Sequence, residues 1–490
     1  MKRWLLLPLA LFLTLTAHVG SPNVMFDGDA GPYAVRVIVR PPMVVPGRAE
    51  VIVQLATNDT ARVSIRPVFW RVGAAGSPTG DDAPRVAGSQ NVYAGQIWLM
   101  SRGSYSVYVT VNGARGSGTA IVPVTSFATA RLKISKGLAA ILVVLGAVLF
   151  VGLITIVRAA TGEALLEPGE RLDDAMRKRT RIATFVAAPI LALLVFGGAQ
   201  WWGAVDGDYE RTMYRPPAID VHVERANPGY DMQLRLHDTA AFKALSAPVI
   251  PDHGKMMHLF VVAEGSHSVF GHYHPTEATP FFFREVLTGL PPGEYKLFAD
   301  VVLANGLSQT VTGEFDWPLD SAKVNADPDD ATWRSESGIG DVNRPVAIGD
   351  GLSIVWTGDK TPLVANESTD LRFEVRDAAG KSAALAPYLR MAGHAVVLKS
   401  DESVFTHLHP MGTISTSAAQ TFAVRDRGDT TANGKLNLSA ADTTAMSMPM
   451  DGHLDFPYEF PKAGRYRVWV QVRPAAGAHV LTGAFDLDVR

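Results

Sequence analysis

Two stretches, Gly137 to Val157 and Ile182 to Val205, run for 21 and 24 residues without a charged side chain. At about 1.5 Å per helical residue each is long enough to cross a hydrocarbon core of about 30 Å. Nothing else in the chain restricts its fold as much, and the two runs are expected as a transmembrane helical hairpin, 137–157 and 182–205. The connecting residues 158–181 carry Arg158, Arg171, Arg177, Lys178, Arg179 and Arg181, mixed with Glu163, Glu167, Glu170, Asp173 and Asp174. The positive-inside rule puts this loop in the cytoplasm and both flanks of the hairpin on the outer side. Trp201 and Trp202 close the second run as an interfacial aromatic pair. A buried hairpin in a soluble protein is the alternative.

At the start, Met1-Lys2-Arg3 followed by an apolar run from Trp4 to Thr16 reads as a leader or anchor over residues 1–17. Cleavage after Ala17 would leave His18 as the amino terminus. The chain has no cysteine, which excludes disulfides, thiolate metal sites and Cys nucleophiles. Its 45 basic and 48 acidic residues give a net charge of -3, with no basic footprint for nucleic acid. No Gly-rich phosphate loop, Gly-x-Ser-x-Gly elbow or His-Glu-x-x-His pair occurs, so no enzymatic turnover is expected. The expected partners are the membrane and a protein of the bacterial envelope.

Elsewhere the chain reads as strands. Val35-Arg36-Val37-Ile38-Val39-Arg40 and Glu50-Val51-Ile52-Val53-Gln54-Leu55 alternate with period two, and Pro46-Gly47 and Asn58-Asp59 break them. A hairpin then recurs three times: Arg102-Gly103-Ser104-Tyr105, Pro292-Gly293-Glu294-Tyr295 and Ala463-Gly464-Arg465-Tyr466, each followed by a Gly-led strand at Gly118, Gly313 or Gly483. The fold class expected is all-β, three exported immunoglobulin-like β-sandwiches at 18–130, 206–320 and 351–490, plus the membrane hairpin. Residues 321–350, with Asp327-Pro328-Asp329-Asp330, are expected as a linker without a core of its own.

Twelve of the thirteen histidines follow Val205. Ser268-Val269-Phe270-Gly271-His272-Tyr273-His274-Pro275 and Ser403-Val404-Phe405-Thr406-His407-Leu408-His409-Pro410 share Ser, Val, Phe, both histidines and the proline. Residues i and i+2 of a strand face the same way, so each copy presents two imidazoles side by side. A third histidine recurs upstream in both, His258 before Leu259-Phe260-Val261-Val262 and His394 before Ala395-Val396-Val397-Leu398. The amino-terminal copy has the hairpin and no such histidines, so the fold does not require them.

The candidate metal ligands are therefore His258, His272 and His274 in one sandwich and His394, His407 and His409 in the other. Met411, Met448, Met450 and His453 stand near the second set, and His253, Met256, Met257 and His267 near the first. A Cys-free mixture of imidazole and thioether favours copper, with zinc on three histidines and water as the alternative. A competing reading makes the histidines loop-ordering residues of a metal-free scaffold. His222, His237 and His479 have no partner in the pattern.

The proline-rich entry Arg40-Pro41-Pro42-Met43-Val44-Val45-Pro46-Gly47 and the strands around it resemble the small immunoglobulin-type modules of the bacterial YtkA-like and CopC-like group, over about residues 18–125. The His-x-His-Pro units resemble uncharacterised exported bacterial domains found near heavy-metal handling proteins. The CopC-like resemblance implies a β-sandwich that binds copper through an amino-terminal His. Only His18 corresponds, and the downstream His ligands of that group have no counterpart in the first sandwich. The function expected is a membrane-anchored protein with its main domains on the periplasmic side, binding or relaying copper.

Overall fold

Residues 23–490 are described by a computed structural model, except 59–60, 168, 226–229, 239–244, 288–289, 319–326, 430–435, 438–449 and 478. The leader, its cleavage point, His18 and Met448 lie outside the described residues. The chain divides into two bodies, residues 128–213 and the remainder.

The smaller body holds two helices, Lys136–Thr161 and Asp174–Arg211. Their most apolar stretches reach mean hydropathies of 3.0 and 2.2 and are unburied, and each helix is long and apolar enough to cross a membrane. Ser135 and Asp173 cap their first turns by accepting from the amides of Leu138 and Met176. The second helix begins eight residues before the uncharged run. With Asp173 as cap, Ala175, Met176, Arg177, Lys178 and Arg179 are all good helix formers and carry the helix back through the last third of the expected loop.

The larger body is built from antiparallel sheets that share cores in pairs. The amino-terminal pair sets strands Val24–Ala30, Tyr33–Arg40, Gly47–Leu55 and Val92–Leu99 against Asp81–Ala83, Ala61–Phe69, Gly103–Gly113 and Gly116–Ser126. The middle pair sets Ala218–Arg225, Tyr230–His237, Phe282–Glu285 and Thr276–Thr279 against a sheet ordered Val249–Ile250, Gly293–Leu303, His258–Ala263, Val269–Tyr273 and Ala331–Arg334, with Ser308–Trp317 also on Gly293–Leu303. The carboxy-terminal pair sets Val346–Gly349, Leu352–Trp356, Ser368–Arg376 and His453–Glu459 against a sheet that repeats the first four positions of that order as Leu385–Ala386, Gly464–Pro474, His394–Lys399 and Phe405–Leu408, with Leu481–Val489 on Gly464–Pro474.

The repeated hairpin has one geometry in all three places. Gly103, Gly293 and Gly464 have φ of 130°, 157° and 138° and open strands of 11 residues. The tyrosine two residues on reaches back four: Tyr295 donates to the Pro291 carbonyl at 2.8 Å, Tyr466 donates to that of Lys462 at 2.6 Å, and Tyr105 accepts from the Ser101 amide at 3.1 Å.

Two segments differ from the sequence expectation. Ala331–Arg334, inside the expected linker, is an edge strand on Val269–Tyr273, held there by the buried Ala331 and Trp333. Thr416–Asp426 is a helix, capped by Ser415 and joined to the amino-terminal pair through Phe422 against Trp70, at 5.2 Å between ring centres, and Arg425 over the same indole at 4.7 Å. Just before it, Thr413 donates to the Met25 carbonyl and Asp27 to that of Met411, at 3.0 and 2.9 Å.

The middle and carboxy-terminal pairs meet through their histidine-bearing sheets. Odd-numbered Leu259 and Val261 enter the middle core, while even-numbered Phe260, Val262, Phe270 and Phe298 join Val396, Leu398, Phe405 and Trp469 in a separate core between the pairs. Phe298 stacks on Phe405 at 4.2 Å, and Trp469 on Phe270 at 4.7 Å. These two contacts are equivalent under the repeat, since Phe298 corresponds to Trp469 and Phe270 to Phe405. The interface is thus isologous in the manner of a two-fold dimer, within one chain. Trp469→Ala should cost about 3–5 kcal/mol of stability through the cavity it leaves. Trp98→Ala, on the exposed face of the amino-terminal pair, should cost under about 0.5 kcal/mol. Denaturant midpoints of the full chain in detergent check both.

Candidate metal centre

Strand pairing places the histidines at one end of this interface. His258 stands opposite Asp300 and His272 opposite Phe260, while His394 stands opposite Gln471 and His407 opposite Val396. Two residues beyond His272 and His407, on the same face, come His274 and His409. In the middle pair the ring centres are 5.5 Å apart for His258 and His272, 4.5 Å for His272 and His274, and 5.3 Å for His258 and His274. The corresponding distances in the carboxy-terminal pair are 5.2, 4.5 and 5.2 Å. The two triads touch across the interface, His407 lying 5.1 Å from His258 and 5.8 Å from His272.

A seventh ring comes from a turn. His253, at φ 53°, precedes the strand of His258 but sits 4.8 Å from His409 and 6.0 Å from His394. All seven imidazoles are buried. One ring nitrogen from each of His253, His394 and His409 lies within 4.8 Å of the others, and the same holds for His258, His272 and His274.

The hydrogen bonds assign the tautomers. His258 Nε2 donates to the Asp252 carbonyl at 3.2 Å, which leaves a lone pair on its Nδ1. His272 Nδ1 lies 2.8 Å from Gln471 Oε1 and 3.0 Å from the Tyr388 hydroxyl. Its Nε2 faces His258 Nδ1 at 3.2 Å. The edge of a tetrahedral site with bonds of about 2.0 Å is about 3.3 Å. His274 Nδ1 donates to Asp330 Oδ1 at 2.9 Å and turns an unpartnered Nε2 inward. His409 Nδ1 does the same with the Ile414 carbonyl at 3.1 Å. Neither nitrogen of His394 has a hydrogen-bond partner among the described residues, nor has Nε2 of His253 or of His407. Ligand imidazoles are oriented in this way, one nitrogen held by a carboxylate or carbonyl and the other left free.

Burial keeps the rings neutral. It pushes His258, His274 and His409 down to about 3, helped by neighbouring imidazoles at His258 and His409 and by Lys255 at His274. Burial and the surrounding rings hold His272, His394 and His407 well below the ordinary range. On one side the cluster borders a cavity of about 180 Å³ lined by His258, His407 and His409 with Asp252 and Asp300.

Other sequence candidates lie elsewhere. Met411 packs on the amino-terminal core and its sulfur accepts from Thr416 Oγ1 at 3.3 Å; Met450 packs on the carboxy-terminal core. His453 is exposed, with Nδ1 3.4 Å from Asp451. Each is carried off by its own apolar or solvent-facing environment, so the donors that converge are all imidazoles. His267 pairs with Glu402 at 3.0 Å, away from the cluster. His253, read from sequence only as a neighbour of the first set, instead joins the second. Its counterpart in the repeat is Leu389, so the repeat carries no signal for it.

A family described as a domain of unknown function, DUF8832, matches residues 346–490. No curated protein matches the chain. Among solved structures, native E. coli alpha-2-macroglobulin is similar with 9% identity and a TM-score of 0.19, over 96% of this chain and 23% of that one. Dimeric latent PorU from Porphyromonas gingivalis is similar with 7% identity and a TM-score of 0.14, over 96% and 34%. The chain spans 23% and 34% of these two, and scores at that level bear on neither fold nor function.

The lowered imidazoles set a pH dependence for the metal-free chain. Between about pH 6.5 and 3 the unfolded chain binds protons that the folded one refuses. Stability is therefore full above that window and is lost as pH falls through it. Denaturant midpoints in chelator should drop from pH 7 to pH 4, and a His258→Phe/His409→Phe variant should show a shallower drop.

Proposed function

We propose that this chain is a membrane-anchored envelope protein that binds a transition metal, copper in the first instance, at the seven-histidine cluster between its second and third immunoglobulin-like β-sandwiches. The role is binding, buffering or relay without turnover. The observation that carries it is the convergence of seven buried imidazoles, six of whose ring nitrogens have no hydrogen-bond partner among the described residues, with His258 Nδ1 and His272 Nε2 3.2 Å apart. A shared cation satisfies both.

The donor set narrows the choice of metal. Imidazole serves copper and zinc alike, and with Met411 and Met450 in hydrophobic cores the thioether argument for copper no longer applies to them. Copper remains the first choice for a Cys-free chain placed outside the cytoplasm, with zinc as the alternative. The metal-free scaffold is the second reading, favoured by the apolar interface core, which would join the two sandwiches without an ion.

The test is metal analysis and Cu(II) and Zn(II) titration of the full chain in detergent, beside His407→Ala/His409→Ala. Tight binding that the variant weakens by more than about 100-fold supports a metal protein, and the tighter-bound ion identifies which. No bound metal in either protein leaves the scaffold. The orientation is tested separately: a reporter inserted near Arg171 should behave as cytoplasmic, and one fused after Arg490 as exported.

A further inference from the structure

We infer that the cluster is a two-ion centre, with one first-row transition-metal ion on His258, His272 and His274, a second on His253, His394 and His409, and His407 between them. This rests on the metal-binding reading above and goes beyond it in number, in ligand assignment and in the non-equivalence of the two sites.

Three observations carry it. The first is repetition: His258, His272 and His274 and their counterparts His394, His407 and His409 have the same three ring spacings to within 0.3 Å, so His394 and His409 are brought together in the second copy as His258 and His274 are in the first. The second is capacity. A four-coordinate ion with bonds of about 2 Å takes at most four imidazoles. The cluster offers seven, in a chain of ring contacts that runs from His253 through His409 and His407 to His272 and His274. The third is the separate convergence of two nitrogen sets, each within 4.8 Å, that have no residue in common.

The second site is also where the repeat is broken. His253 replaces the His407 expected from the repeat, and it belongs to the middle sandwich, so an ion there joins the two sandwiches. It can do so because the turn Asp252-His253-Gly254 swings the ring across the interface, in the conformation that Leu389 and Arg390 repeat at φ 47° and 69°. The flanks differ as well. Asp252, Asp300 and the cavity of about 180 Å³ border one ligand of each site, His258 and His409, with His407 between them. The counterparts of those carboxylates under the repeat are Tyr388 and Gln471, which close on His272 with hydrogen bonds of 3.0 and 2.8 Å. The two sites are therefore not equivalent: the first is built within one sandwich and the second across the interface.

The experiment is Cu(II) titration of the full chain in detergent, read by metal analysis and electron paramagnetic resonance. Two equivalents are expected, with the signal of the doubly loaded protein broadened or diminished by coupling between neighbouring ions. His253→Asn, which keeps a residue that tolerates positive φ, should leave one equivalent with an uncoupled signal, and His272→Ala/His274→Ala should do the same through loss of the other ion. Binding of one equivalent by the wild-type chain overturns the two-ion centre and leaves the proposed function standing. Two equivalents without coupling overturn it too, and binding of none overturns both.

Discussion

The arrangement depends on the packing of two histidine-bearing sheets through a shared aromatic core. Phe298 on Phe405 and Trp469 on Phe270 fix how the sheets lie on each other, and the histidines one and two rows along the same faces follow from strand geometry. Because the strands His258–Ala263 and His394–Lys399 are covered on both faces, nearly every residue in them is buried. Aromatic stacking adds about 0.5–1.5 kcal/mol per pair to the area removed from water. That apolar contribution is what allows polar rings at the end of the same interface.

Those rings are costly. A buried polar atom without a partner costs about 1–3 kcal/mol, and six ring nitrogens are in that position: Nε2 of His253, His274, His407 and His409, and both nitrogens of His394. Loop-ordering histidines would be expected to spend both nitrogens on backbone. At His274 and His409 one is spent, on Asp330 and Ile414, and the other has no partner; at His394 neither is spent. On the proposed reading an ion removes this cost in the folded state alone, so its binding energy adds to the cohesion of the interface.

Much of the site was legible in sequence because it is written twice. The motif pair, the upstream histidine and the hairpin glycine and tyrosine are local repeats, and strand periodicity converts them directly into side chains on one face. The apolar runs were legible for a similar reason, length without charge. What could not be read was the meeting of the two copies. Phe260, Val262, Val396 and Leu398 carried the hint, since a strand with one solvated face would alternate and these do not. His253 had no such hint, because its placement depends on a turn followed by a contact with residues some 140 to 156 positions away. The helix Thr416–Asp426 was missed because its apolar residues are few and its partner, Trp70, lies in the first pair of sheets.

The repeat is also informative where it fails. On the axis relating the two copies, equivalent residues must meet, and His267 does meet its counterpart Glu402 at 3.0 Å. Two glutamates there would repel each other; the copies have diverged, and the pair that meets is one imidazole and one carboxylate. The same divergence separates Asp252 from Tyr388 and Asp300 from Gln471, placing carboxylates and a cavity on one flank of the cluster and neutral hydrogen-bonding groups on the other. A homodimer of a single sandwich could supply two symmetric triads, but it could not make their surroundings differ. Joining the copies in one chain permits that difference, and with it two neighbouring sites that need not hold their ligands equally tightly.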